Sequence, residues 1–317
     1  MNVLSLFDGM SCGQQALDRN GIKVDNYFAS EIDKYAITVT MANYPNTKQL
    51  GSVVDVDGYS LPKIDLLIGG SPCQSFSFAG KRKGMATKDE QEILTLDHYL
   101  QLKLEGFEFE GQSYLFWEYM RLLYECKPKY FLLENVMMGE KWEKILSKAI
   151  GVNPIMINSS LLSAQNRQRL YWTNIGLEPA GLFGYPQTTI EQPKDKGILL
   201  KDVLESEVDE KYYLSENFCN LNLIDTNTNI RAIMLGRSEA WGAPEKSDGK
   251  SYTLCKEQCH GIKNKSNIRR LTPIECERLQ TVKDNYTNHV SDSQRYKMLG
   301  NGWTVEVIRH ILNYIKI

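Results

Sequence analysis

Four short segments carry side chains whose types and spacing could do chemistry. The first, Phe7-Asp8-Gly9-Met10-Ser11-Cys12-Gly13, follows an apolar run and precedes a helical pattern. Glycines there let the chain turn sharply and bring its backbone close to a ligand. Glu31 ends the next apolar run, at a distance along the chain where a carboxylate suits a ribose diol. Asp55 is expected near the end of a third short strand, placed to accept from an adenine amino group. No G-x-G-x-x-G is present, which disfavours a pyrophosphate cofactor. Taken alone, the loop is either a nucleoside-type cofactor site or a plain tight turn. The second segment, Gly69-Gly70-Ser71-Pro72-Cys73-Gln74, sets a thiol at the carboxyl end of a strand, the usual ligand crevice of a parallel sheet. Its Gly, Pro, Gln and Ser neighbours argue against a merely buried thiol, and Lys81, Arg82 and Lys83 could favour a thiolate or contact phosphate. The third is Glu134-Asn135-Val136 after the apolar Tyr130–Leu133. A partly desolvated Glu134 would serve as donor or general acid; the alternative is an ordinary strand-end carboxylate. The fourth is Gln165-Asn166-Arg167-Gln168-Arg169, whose two arginines would share one face of an extended segment and suit phosphate or a polar base edge, or else form a solvated basic edge.

The elements that must position these groups alternate in type. Apolar runs at Val3–Phe7, Tyr27–Ser30, Ile64–Gly69, Tyr130–Glu134, Pro154–Asn158 and Tyr171–Ile175 are separated by amphipathic stretches such as Asp33–Asn43 and Tyr114–Glu125. That alternation predicts βαβ units and an α/β fold with a mostly parallel twisted sheet. From about 177 to 266 the periodicity weakens among Asn, Thr, Ser, Lys and Gly, which predicts a smaller, loop-rich domain. Helical signals return from 267. Thr272-Pro273-Ile274-Glu275 reads as a capping box with Pro at the first helical position, followed by a helix to about Gln280. Ser291 to Gln294 reads as a second box with Gly300 as a stop, and Thr304–Tyr314 as a last helix. The expected domains are therefore 1–176 joined with 267–317, and 177–266. The acidic stretch Asp89–Glu110 reads as a solvated surface insertion, or alternatively as part of a lid over the active site.

Hydrophobic residues make up 42% and charged residues 24% of 317, which argues against a disordered, coiled-coil or collagen-like chain. No apolar run suits a membrane span or secretory leader, so a cytoplasmic address and no membrane partner are expected. The net charge of −2 makes no general case for a nucleic-acid partner. Between Arg237 and Arg270, however, eight Lys or Arg face four Asp or Glu, which fits a phosphate-facing surface or a solvated loop. The seven cysteines form no disulfide framework. Cys255, Cys259 and His260 lack a second ligand pair, so they read as reduced thiols and no metal is expected.

Together the segments resemble the cytosine-C5 DNA methyltransferase family of prokaryotic and phage type. The likeness covers roughly 1–175 and 267–317. It rests on the loop Phe7–Gly13, Glu31, Pro72-Cys73-Gln74, Glu134-Asn135-Val136, Gln165/Arg167/Arg169, the late motif Arg269 through Gln280, and Gly300-Asn301. The tail from Trp303 to His310 is more similar to eukaryotic de novo DNA methyltransferases. Ile32 stands where many members carry an aromatic residue, Ser71 where Pro is common, and the stretch 84–112 is longer than usual.

The resemblance implies a Rossmann-like fold and S-adenosylmethionine as cofactor, held by Phe7, Asp8, Gly9, Gly13, Glu31, Ile32, Asp55, Pro72, Asn301, Trp303 and Thr304. It implies attack of Cys73 on C6 of a flipped-out cytosine in a specific sequence of double-stranded DNA. Glu134 would grip N3 and the exocyclic amine, Arg167 would contact O2, Arg169 would brace the loop or a phosphate, and Gln165 would complete the catalytic set. Gln74, Ser75, Lys81, Arg82, Arg231, Arg237, Lys256 and Lys263 are the expected DNA contacts, and 177–266 the target reader. Such an enzyme can belong to restriction-modification without requiring a cognate endonuclease. Methylation of transfer RNA and a catalytically silent DNA-binding module are the rival readings. The intact Cys73, Glu134 and Arg167 count against the second.

Overall fold

The computed structural model describes residues 1–72, 92–109, 112–180, 185–214, 230–235, 245–246, 248–264 and 267–316. Seven strands form the main sheet: β1 Asn2–Leu6, β2 Asn26–Ser30, β3 Lys48–Gln49, β4 Leu66–Gly70, β5 Tyr130–Val136, β6 Ile155–Asn158 and β7 Gln168–Thr173. Their order is β3-β2-β1-β4-β5-β7-β6. β1 to β5 run parallel, and β7 is antiparallel to both neighbours. Strand order reverses beside β1, so the ligand crevice of this sheet lies at the carboxyl ends of β1 and its neighbours.

The central strands read as unbroken apolar runs because both faces are covered. Alternate residues divide between two cores. Val3, Leu66, Ile68 and Leu132 pack with Ala16 and Leu17 of α1 (Cys12–Arg19) and with Ile308 and Ile311 of the last helix, Val305–Leu312. Leu4, Leu6, Leu67 and Leu133 pack on the other face with Phe116, Trp117 and Leu146, from the helices Leu115–Cys126 and Glu140–Ile150. Each such side chain, fully buried, contributes about 1.5–3 kcal/mol. The chain's far end is tied in by polar bonds as well: Asn20 Nδ2 donates to Arg309 O at 2.9 Å, and Arg19 pairs with Glu306 at 3.0 Å.

In chain order the remaining helices are α2 Lys34–Asn43 and α3 Leu96–Leu104; Leu115–Cys126 is α4 and Glu140–Ile150 is α5. Pro273–Leu279 is α6, Asp292–Asn301 is α7, and Val305–Leu312 is α8. The described part of the insertion, 92–109, is solvated along much of its length but anchored at three side chains. Ile93, Tyr99 and Leu102 are buried, and Tyr99 Oη donates to Glu118 of α4 at 2.5 Å. The second capping box does not form: Ser291 precedes α7 with no side-chain cap, and the helix runs through Gly300 to Asn301. The first does form. Thr272 accepts from Glu275 N at 3.1 Å, Thr272 N donates to Glu275 Oε2 at 2.8 Å, and Arg269 grips the same carboxylate at 2.6 and 2.7 Å.

Beyond the main sheet lie the hairpin β8 Leu177–Ala180 with β9 Tyr185–Thr188, and a four-stranded sheet in the order β11-β10-β12-β13. Its strands are β10 Arg231–Met234, β11 Glu245–Lys246, β12 His260–Asn264 and β13 Asn267–Arg270. The expected boundary at 266/267 falls between β12 and β13, which pair antiparallel. Among the described residues no helix is long and apolar enough to cross a membrane.

α7 meets the loop before β12 with no room for a side chain. A Cβ on Gly300 would lie 2.2 Å from the carbonyl carbon and oxygen of Cys255 and 2.6 Å from Lys256 N. Since the neighbours are backbone, Gly300→Ala is expected to cost about 1–3 kcal/mol, read as a lower midpoint in urea.

Candidate active site

The cofactor-type loop is built on strained backbone. Phe7, Gly9 and Ser11 all have φ near +57°, and two of them are not glycine. Each non-glycine residue in that region costs about 1–3 kcal/mol, a strain that clusters at functional sites. Hydrogen bonds hold the turn. Asp8 accepts from Tyr27 Oη at 2.7 Å and from Ser11 Oγ. Glu31 Oε2 accepts from Gly9 N at 2.8 Å, and Oε1 from Ile32 N and Asp33 N at 2.7 and 2.8 Å. The carboxylate expected at a ribose thus also locks the turn after β2 onto the loop after β1. Ile32 beside it is 74% exposed, an open apolar face at the crevice. Gly13 admits the close packing of α1: a Cβ there would meet Ile68 Cδ1 at 2.4 Å. Asp55 is exposed on a 3₁₀ turn, Val53–Asp55, rather than near a strand end.

Desolvation pushes the Asp8 carboxyl from the ordinary carboxylate range up to about 6, outweighing the hydrogen bonds it accepts. A raised native value means that the folded form binds the proton more tightly. The associated stability is complete below the unfolded value near 4 and is lost as pH rises through 6. Asp8→Asn, which cannot ionise, is expected to raise stability by ~3 kcal/mol at pH 8 relative to the parent and to make little difference below pH ~4. Chemical denaturation at both pH values measures this.

Glu134 sits at the centre of the second cluster. It lies on β5, in register with Gly70 of β4, and is 9% exposed. Arg169 Nε pairs with Oε1 at 2.9 Å, and Trp303 Nε1 donates to Oε2 at 3.2 Å. A Cβ on Gly70 would lie 2.9 Å from that indole nitrogen and 3.1 Å from that carboxylate oxygen. Gly70→Ala is therefore expected to displace Trp303 from Glu134 and to lower the single-turnover rate by ~10- to 100-fold, since misplacement by an ångström costs about that much. One residue on, Asn135 Nδ2 donates to Ser71 Oγ at 3.0 Å and to Ser71 O at 3.3 Å, fixing the exit of β4 just before Pro72. Cys73, Gln74, Ser75, Lys81 and Arg82 lie outside the described residues, as does Arg237.

The two arginines are placed the other way round from expectation. Arg167 is 3% exposed, and its guanidinium donates to Leu254 O at 3.2 Å, Gly300 O at 3.3 Å and Gly302 O at 2.9 Å. Arg169 is the one at Glu134. β7 starts at Gln168, so Arg167 precedes the strand and the alternation that would put both on one face does not apply. Gln165 is fully buried: Nε2 donates to Leu279 O at 3.2 Å and Gln280 Oε1 at 3.1 Å, while Oε1 accepts from Leu254 N at 2.8 Å. Thr304 is 1% exposed, hydrogen-bonded to Ser159 and Gln280. These two brace the site from behind rather than facing it. Asn301 is exposed and Trp303 half-buried. Gln280, which also donates to Leu299 O at 2.6 Å and Gly302 O at 3.1 Å, is the hub the sequence reading gave no role. Its signal was its fixed place at the end of the late motif. Gly70 was also missed as a packing requirement, with only the Gly-Gly pair to suggest it.

Among the expected DNA contacts, Lys256 is exposed, Arg231 is half-buried, and Lys263 is 7% exposed on β12 opposite Arg231. Burial of Lys263 departs from the expected surface contact. It follows from a position inside the small sheet, which the weak periodicity of this region concealed.

The sequence pattern of the C-5 cytosine-specific DNA methylases matches residues 1–99 and 100–317. The chain is 30% identical over 310 residues to the type II methyltransferase M1.ScrFI of Lactococcus lactis subsp. cremoris, covering 91% of this chain and 71% of that protein. It is 27% identical over 328 residues to the type II methyltransferase M.NlaX of Neisseria lactamica, covering 99% and 96%. The fold is similar to that of the Entamoeba histolytica methyltransferase EhMeth, with a TM-score of 0.66 at 16% identity over 99% of this chain and 97% of that one. A DNMT2 variant from Spodoptera frugiperda gives 0.64 at 19% identity over 99% and 98%. With the pattern spanning the whole chain, the protein belongs to the C-5 cytosine-specific DNA methylase family.

Proposed function

We propose that this enzyme transfers a methyl group from S-adenosylmethionine to C5 of a cytosine turned out of duplex DNA, through a temporary bond between Cys73 and C6. The observation that carries the reading is the Arg169–Glu134–Trp303 chain beside the β4 exit that leads to Pro72. The residues around the first loop fit the cofactor: an apolar face at Ile32, a carboxylate at Glu31 and a tightly turned backbone stand together at the ends of β1 and β2. Phe7, Asp8, Gly9, Glu31 and Ile32 would hold it, with Trp303 on the side toward Glu134. When bound it supplies an electrophilic methyl on a sulfonium.

C5 of cytosine is a poor nucleophile. Addition of the Cys73 thiolate to C6 makes the ring an enamine with electron density at C5. Glu134, oriented from two sides, gives a proton to N3 as the ring takes up charge and accepts from the exocyclic amine, and the Arg169 guanidinium beside it would polarise O2. Arg167 holds the carbonyls of 254, 300 and 302, and so keeps Trp303 in position. After the methyl is received, the C5 proton leaves to solvent, the C5=C6 double bond reforms, the N3 proton returns to Glu134 and Cys73 departs as thiolate. Extruding the base costs a few kcal/mol; Lys81, Arg82, Arg231, Arg237 and Lys256 are candidate contacts that offset it. Residues 177–266 would read the target sequence.

The test is methyl incorporation from labelled S-adenosylmethionine into duplex DNA and transfer RNA, side by side. Label in 5-methylcytosine of the duplex is expected. Label confined to transfer RNA, or absent from both, would overturn the reading.

A further inference from the structure

Beyond the active site, one pair of thiols is set for chemistry of its own. Cys255 and Cys259 both lie in the loop before β12, half-buried and within reach of small solutes. Their sulfurs stand 2.8 Å apart. His260 follows directly, 6% exposed, with Nε2 accepting from Cys255 N at 3.0 Å. These three residues form the only compact group of metal-type ligands among the described residues.

Distances decide between the two uses of such a group. Two thiolates on one tetrahedral zinc stand about 3.8 Å apart, given a Zn–S distance of about 2.3 Å. The observed separation is an ångström shorter. A disulfide, at about 2.05 Å, needs the sulfurs to close by less than an ångström. We propose that Cys255 and Cys259 are a thiol–disulfide exchange site that takes a small-molecule disulfide as its oxidant.

The exchange balances in two steps. Cys255 thiolate attacks one sulfur of the small disulfide, forming a mixed disulfide and releasing one small thiolate, which takes the proton from Cys259. The Cys259 thiolate then attacks Cys255 Sγ, closing the intramolecular disulfide and releasing the second small thiolate, which solvent protonates. A hydrogen bond joins the two sulfurs, and with His260 nearby it holds Cys255 well below the ordinary thiol range and Cys259 above it, so Cys255 is the first to attack. The site is one residue from Leu254, whose carbonyl Arg167 holds, and its Cys255 carbonyl is where Gly300 packs.

The test treats the reduced full-length protein with oxidised glutathione, blocks remaining thiols with iodoacetamide and maps tryptic peptides. Expected is Ser251–Lys256 joined to Glu257–Lys263, two hydrogens lighter than the reduced pair and separated again by dithiothreitol. In Cys259→Ser, Cys255 should instead retain glutathione, because no second thiol resolves it. Full alkylation of both cysteines in the parent would overturn the proposal. So would one tightly held zinc per chain that protects them, or glutathione left on the parent's Cys255 as its end state.

Discussion

Replacing Cys73 with Ser is expected to lower methyl transfer to duplex DNA by on the order of 10⁴-fold or more, with DNA affinity little changed. A serine hydroxyl has no accessible anion near neutral pH and is a poor leaving group, so both the addition to C6 and the final expulsion fail. The thiol within the cofactor loop offers no substitute. Cys12 is 3% exposed, and burial pushes it up to about 12. Single-turnover assay with a gel-shift control separates the chemical step from binding, and turnover within tenfold of the parent would contradict the mechanism.

The second large effect separates the two arginines. Arg167→Lys is expected to cost about 3 kcal/mol of stability. A lysine cannot span the carbonyls of Leu254, Gly300 and Gly302, and buried acceptors left without donors carry their full desolvation penalty. Arg169→Lys should change stability by less than ~1 kcal/mol, since that side chain is partly exposed, yet slow methyl transfer by ~100-fold. Urea denaturation and single-turnover rates of both variants give the comparison. The reverse pattern would restore the roles that the family resemblance implies.

Much of the frame was legible because its signals are local. The apolar runs at 3–7, 27–30 and 130–134 mark strands within a residue or two, and the Thr272 capping box forms as read. The direction of β7 was not legible, since an apolar alternation is the same read either way. Asp55 was misplaced because Val53 and Val54 look like the start of a strand, yet the Ser52 side chain accepting from Val54 N makes a turn there. Gln165 and Thr304 looked like site residues by motif. Their partners lie far along the chain, at Gln280, Leu254 and Ser159, and no local pattern reveals such bonds. Trp303 was expected at the cofactor, and its hydrogen bond to Glu134 appears only when α8 docks against the sheet.

The central claim is a covalent bond between Cys73 and the target ring. Duplex DNA carrying 5-fluorocytosine at the methylated position reports it directly, because fluorine at C5 leaves no proton to lose and the enzyme stays attached. With S-adenosylmethionine present, a complex that survives denaturing electrophoresis is expected, with the modification mapped to Cys73 and absent in Cys73→Ser. Methylation of unmodified DNA without any such adduct, or an adduct mapped to another cysteine, would contradict the account.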